Sequence, residues 1–161
     1  MPNVDILAVH IEQIVTDAGI QIARNYQPDN PVASFAYRTI DVQIIGINTA
    51  VSPRRQRFAI AHAYGHLLLH CKRQPLVACH QIRTEQRPAG SSEPTAEMEE
   101  QATLHAANLL MPEELLRAEL ARQVLVPHTS RDQLIERMAA GFEVSNEAMG
   151  WRLMSLSLIT G

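Results

Sequence analysis

The sequence predicts an α+β domain, a small antiparallel sheet of about three strands packed against a bundle of about five to six helices. Three observations lead there. Short alternating apolar runs are confined to residues 20–47, ahead of a long C-terminal stretch in which apolar residues recur every three or four positions. Turn residues cluster between these runs and never form a linker that would divide the chain. The 161 residues, 46% of them apolar and 19% charged, are enough to build one core without disulfides or metals to hold it.

The elements follow in order. Val4, Leu7, Ala8, Ile11, Ile14, Val15 and Ala18 form one helical stripe, ended by Gly19 where a terminating glycine belongs. Ile20 to Arg24 alternates as a strand, and Pro28-Asp29-Asn30-Pro31 is a turn. Val32 to Tyr37 and Val42 to Ile47 are two further strands, the second apolar enough to be buried. Ser52 as N-cap and Pro53 at the first helical position open a helix that runs from Arg54 to His70. Residues 75–90, broken by Pro75, Pro88 and Gly90, read as an irregular loop with one short strand around Leu76 to Ile82. Helices are expected from Ser92-Glu93-Pro94 to Met111, from Pro112 to about Val124, from Thr129 to Gly141 and from Ser145 to about Leu158.

Composition narrows the function classes. A formal charge of −3 without basic runs gives no footprint for direct nucleic-acid binding or for an anionic membrane surface. The last two helices are too acidic and too apolar for a DNA-recognition helix. No window approaches ~18 consecutive apolar residues, so no membrane span is expected. Met1-Pro2-Asn3-Val4-Asp5 does not read as a signal peptide, and two cysteines, Cys71 and Cys79, are too few for a secreted disulfide framework. A cytoplasmic protein with reduced thiols is the expectation.

His62 and His66 carry the most chemistry. Four apart on one predicted helix, their imidazoles project from the same face one turn apart, the spacing with which zinc hydrolases hold their metal. With seven histidines in the chain, chance alone gives roughly 0.3 such pairs. A third ligand is therefore what matters. Glu97, Glu99 and Glu100 open the next long helix and are the candidates, although acidic residues in a first helical turn also serve simply to complement its dipole.

The stretch Arg55-Gln56-Arg57-Phe58-Ala59-Ile60-Ala61-His62-Ala63-Tyr64-Gly65-His66-Leu67-Leu68-Leu69-His70 resembles the R-Q-R-F-x-x-A-H-E-x-G-H-x-x-L-H segment of the ImmA/IrrE zinc metallopeptidases. Residues 99–112, from Glu99 through Leu109-Leu110-Met111-Pro112, are similar to that family's E-x-E-A-N-x-F-A-A-x-L-L-M-P helix. Phe142 to Leu153 resembles its F-x-V-S-x-x-A-M-x-x-R-L segment, and the three motifs in order cover nearly the whole chain. The resemblance implies a zincin-like fold and a single metallopeptidase-like domain over 1–161. Within it, 1–50 would supply the N-terminal helix and sheet, 52–112 the zinc-binding helices and 113–161 the C-terminal helices. It implies zinc as cofactor on His62, His66 and Glu99. It also implies a protein or peptide substrate, commonly a helix-turn-helix transcriptional repressor. Gln101 stands where the family often has a second glutamate. Thr103 replaces its asparagine, in a position to steady a ligand from behind, and His105 replaces its phenylalanine.

One departure bears on catalysis. Ala63 occupies the position of the family's general-base glutamate, which takes a proton from the attacking water and passes it to the leaving amine. Alanine can do neither, and general acid–base help is worth ~10²–10⁴ in rate, so this chain is expected to be inactive as written. Loss of the base with the ligands intact suggests an engineered Glu-to-Ala replacement. The alternative is a natural zinc-binding pseudoprotease that acts as a protein-binding or regulatory module.

Other residues have plainer roles. Three i,i+4 histidines cannot easily ring one ion on a straight helix, so His70 is expected at the helix end against the dipole. Tyr64 should pack in the core, Cys71 and Cys79 are structural thiols, and Arg54, Arg55 and Arg57 form a charged cluster that is either solvated or salt-bridged to an acidic neighbour. His80 and His105 are oxyanion-stabilising candidates by residue type alone. Met138, Met149 and Met154 with Leu134, Leu153 and Leu156 should pack the last two helices together. An edge strand, with Val42 to Ile47 as the candidate, would hold a peptide extended by main-chain pairing.

Overall fold

The computed structural model describes residues 7–25, 27, 29, 32–72, 75–80, 94–124 and 130–160. In chain order the elements are α1 (Ile11–Asp17), β1 (Gln21–Asn25), β2 (Val32–Arg38), β3 (Gln43–Asn48), α2 (Pro53–Leu69), β4 (Leu76–His80), α3 (Ala96–Leu110), α4 (Glu113–Val124), α5 (Arg131–Phe142) and α6 (Asn146–Ser155). The fold is α+β, as the alternation of periods requires. Two compact units are formed, His10–Ala106 and the pair of segments Met1–Val9 and Ala107–Gly161, with the boundary inside α3.

In the first unit the four strands lie in the order β1-β3-β2-β4. The strand expected around Leu76 to Ile82 is therefore a full member of the sheet, its last two expected residues lying outside the described ones. β2 is antiparallel to both β3 and β4. β1, however, runs parallel to β3, with Gln21 opposite Ile44 and Asn25 opposite Asn48. This corrects the expectation of a purely antiparallel sheet. The β2–β3 hairpin, closed by Thr39 accepting at Oγ1 from the Val42 amide at 3.0 Å, sets its second strand against β1, and β3 runs the same way as β1. Alternation records which face of a strand is buried, not which neighbour it has.

That order also moves the peptide-binding candidate. β3 is paired on both sides, which explains why Ile45, Gly46, Ile47 and Asn48 are all buried, and it offers no free edge. Among the described residues the outer strands of the sheet are β1 and β4. At the centre, Gly46 lies opposite Phe35, whose ring occupies the space any side chain at position 46 would need.

α2 crosses β2 and β3. Its entry is pinned by Asn48, which donates from Nδ2 to the Gln27 carbonyl at 2.7 Å and accepts from the Ala50 amide at 2.9 Å. Gln56 adds a donor to the Val51 carbonyl at 2.8 Å. Ser52 sits at the N-cap with extended backbone but makes no side-chain cap bond; Pro53, which needs no hydrogen-bond partner for its nitrogen, takes the first position as expected. Ala59 to Ala63 and Gly65 to Leu67 are buried.

α1 begins at Ile11, later than the apolar stripe suggests, and Gly19 follows it with φ +77°, the left-handed turn that favours glycine. Of the earlier stripe positions, Leu7 instead donates its amide to the Gly141 carbonyl within the second unit at 2.8 Å, and Val4 lies outside the described residues.

In the second unit α5 starts with a reciprocal cap between Ser130 and Gln133, and α6 with Ser145 accepting from the Ala148 amide. Met138, Met149 and Leu153 are enclosed, whereas Met154 is exposed, with its Sδ 3.4 Å from Arg131 Nη2. Arg152 is buried, donating to the Met111 carbonyl and, at 2.7 Å, to Asn108 Oδ1. Among the described residues no helix is long and apolar enough to cross a membrane.

Candidate metal centre

Helical spacing puts His62 and His66 one turn apart on the face of α2 that meets α3, and there the rings converge. His62 Nε2 lies 3.1 Å from His66 Nε2. From the first turn of α3, Glu99 reaches His62 Nε2 with Oε2 at 3.2 Å and His66 Nε2 with Oε1 at 3.3 Å. Of the three acidic candidates only Glu99 joins the cluster. Glu97 accepts from Gln101, and Glu100 is exposed.

Gly65 permits this approach. A Cβ at that position would stand 3.2 Å from the backbone of Ala102 and 3.3 Å from His105 Cβ, so α3 lies against a glycine on the turn between the two histidines. With a larger residue there, the facing backbone of α3 would have to give by a few tenths of an ångström.

The three groups fit a tetrahedrally held cation. One ligand atom from each of the three lies within 4.8 Å of the others, near enough to share one ion, for which ligand bonds of about 2.0–2.1 Å set neighbouring ligand atoms about 3.3 Å apart. Protonation points the same way. Burial would raise the Glu99 carboxyl, but its contacts with His62 and His66 outweigh that and hold it at about 2, so it is an anion. His66 is held below its ordinary value, chiefly by burial, with Glu99 opposing, so the ring is neutral. Glu99 Oε1 is buried yet accepts no hydrogen bond, which leaves an anionic oxygen aimed at the centre of the cluster. An ionised carboxylate and neutral imidazole are the forms a divalent metal binds.

Burial is uneven. His66 is 0% exposed and His62 7%, whereas the Glu99 side chain is 39% exposed, so the cluster is closed behind and open on the α3 side. Thr103 stands behind His62 with Oγ1 3.4 Å from Nδ1, a long contact on the ring edge away from the cluster. Ala63 is 0% exposed and presents only a methyl group beside the two histidines.

His70 and Gln101 acquire a place that spacing did not single out. His70 is the residue that ends α2, buried, with Nδ1 3.0 Å from His66 Nδ1 and Nε2 3.0 Å from Gln101 Oε1. It is thus behind His66, outside the metal cluster. The visible signal was a third i,i+4 histidine, but its partner came from another helix.

Tyr64 packs edge-on against His105, ring centres 5.8 Å apart, and His105 Nε2 is buried without a partner. Cys71 lies 3.8 Å from the Ala36 carbonyl, and burial pushes its thiol up to about 11, away from the thiolate a metal would need. The side chains of Cys79 and His80 lie outside the described residues. Arg54 and Arg55 are exposed, as a solvated cluster requires, whereas Arg57 is half-buried with its Nε enclosed.

Two comparisons bear on this geometry. The family model described as the IrrE N-terminal-like domain, Peptidase_M78, matches residues 15–154. No curated protein matches the chain significantly.

Proposed function

Since the chain belongs to the Peptidase_M78 family through its IrrE N-terminal-like domain, we propose that it is a zinc endopeptidase domain whose base position is filled by Ala63. The convergence of His62, His66 and Glu99 carries this reading. These three residues hold the ion, and two imidazoles with one carboxylate are a donor set that suits zinc and leaves a fourth position open. Bound there, zinc supplies Lewis-acid polarisation of a scissile carbonyl. Thr103 steadies His62 from behind, and the exposed flank at Glu99 is the side on which a peptide arrives. The substrate is a regulatory protein, with a helix-turn-helix repressor the first to try, and the site of action is the cytoplasm. At position 63 no atom can take a proton from water or return one to the leaving amine, so the chain as written holds substrate without cutting it. Loss of the base with all three ligands kept is the pattern of a replacement made to trap substrate.

The enclosure of Ala63 favours a second reading. A glutamate there must extend from a Cβ that is already covered, which suits a natural zinc-binding pseudoprotease that docks a partner. Ala63→Glu separates the two. Loaded with zinc and offered a panel of repressors, the variant is expected to cleave at least ~10²-fold faster than the parent chain, and His62→Ala in that background to abolish the cleavage. A variant that folds, binds zinc and binds the repressor without cutting it leaves the binding module as the function.

A further inference from the structure

The hydrogen bonds behind His66 have a fixed direction, readable from the outer end inward. Gln101 donates through Nε2 to Glu97 Oε1 at 3.2 Å. That orientation leaves Gln101 Oε1 facing His70 Nε2 at 3.0 Å, and an amide oxygen also only accepts. Above the imidazole titration range, where a ring holds a single proton, His70 therefore holds it on Nε2 and keeps a lone pair on Nδ1. Opposite that lone pair, at 3.0 Å, is His66 Nδ1, which must be the donor. What remains at His66 is an unprotonated Nε2, the atom that faces His62 and Glu99.

We propose that Glu97, Gln101 and His70 are positioning residues that lock His66 in its Nδ1-protonated tautomer and so present a bare Nε2 to the cation. The inference rests on the metal reading of the cluster. The arrangement uses two i,i+4 ladders, His62-His66-His70 along α2 and Glu97-Gln101 on α3, and each holds the other in register. Groups that hold the far nitrogen of a ligating histidine commonly change metal affinity by ~10–100-fold when removed.

Gln101 is the residue to change, because it is exposed and its loss leaves no cavity. Long-range proton–nitrogen NMR on the full chain without metal, above the imidazole titration range, reports the tautomer of each ring directly. The expected spectrum has His66 protonated on Nδ1 and His70 on Nε2. Gln101→Met, similar in size but without the acceptor, is expected to let both rings average between tautomers and to weaken zinc binding ~10-fold or more in competition with a chelator. Gln101→Glu, which keeps an acceptor, is expected to restore both. A parent spectrum with His66 protonated on Nε2 overturns the lock, as does a Gln101→Met variant whose tautomers or whose zinc affinity are unchanged. If the parent chain binds no zinc while its tautomers are as stated, the lock stands and the metal reading alone fails.

Discussion

Between His62 and His66 the chain offers a methyl group, and just past the end of α2 lies a buried thiol. Cys71 shows how burial alone sets reactivity. At 2% exposure its thiol is pushed by burial from its ordinary 9.0 up to about 11, with Arg38 opposing. The thiolate is the nucleophile, so near neutral pH alkylation of the folded chain should be about 100-fold slower than in denaturant. A mass-spectrometric time course with iodoacetamide measures both rates, and equal rates would contradict the burial. The same shift has a stability sign. The fold favours the protonated thiol, so this contribution is complete below pH 9 and is lost as pH climbs towards about 11, where alkaline unfolding of the parent should be steeper than that of Cys71→Ala.

Among the elements, α2 and α3 matter most, because the candidate centre exists only while they are close. Gly65 sets that distance, with the Ala102 backbone 3.2 Å from where a Cβ would stand. A larger residue must displace backbone rather than the end of a flexible side chain. Gly65→Val is expected to cost about 1–3 kcal/mol in urea unfolding and to weaken zinc binding more than it weakens the fold. Wild-type zinc affinity in that variant would mean that Glu99 follows α2 by other means. The sheet has a comparable fixed point at Gly46, where the ring of Phe35 takes the place of a side chain. Both glycines were visible in the sequence. Their reason was not, since a close approach involves a partner far along the chain.

For the whole molecule, bound metal and folding are linked. A ligand that binds the native state alone stabilises it by RT ln(1 + [L]/Kd), about 4 kcal/mol at a thousandfold excess over Kd. Zinc should therefore raise the melting temperature of the parent chain and leave that of His66→Ala unmoved, as differential scanning calorimetry with and without a chelator would show. An identical rise in both would place the bound ion elsewhere. Much of this protein was legible beforehand, because local physics determines it. Periodicity marked the helices and strands, Pro53 and Gly19 their ends, and the four-residue step put His62 and His66 on one face. The later start of α1, the parallel β1–β3 pairing and the interior position of β3 were decided by contacts between distant segments, which no local pattern encodes. The same holds for the centre. By residue type any of three glutamates could have faced the histidines; the family resemblance pointed to Glu99, and the packing of α3 on Gly65 puts it there and brings Gln101 against His70.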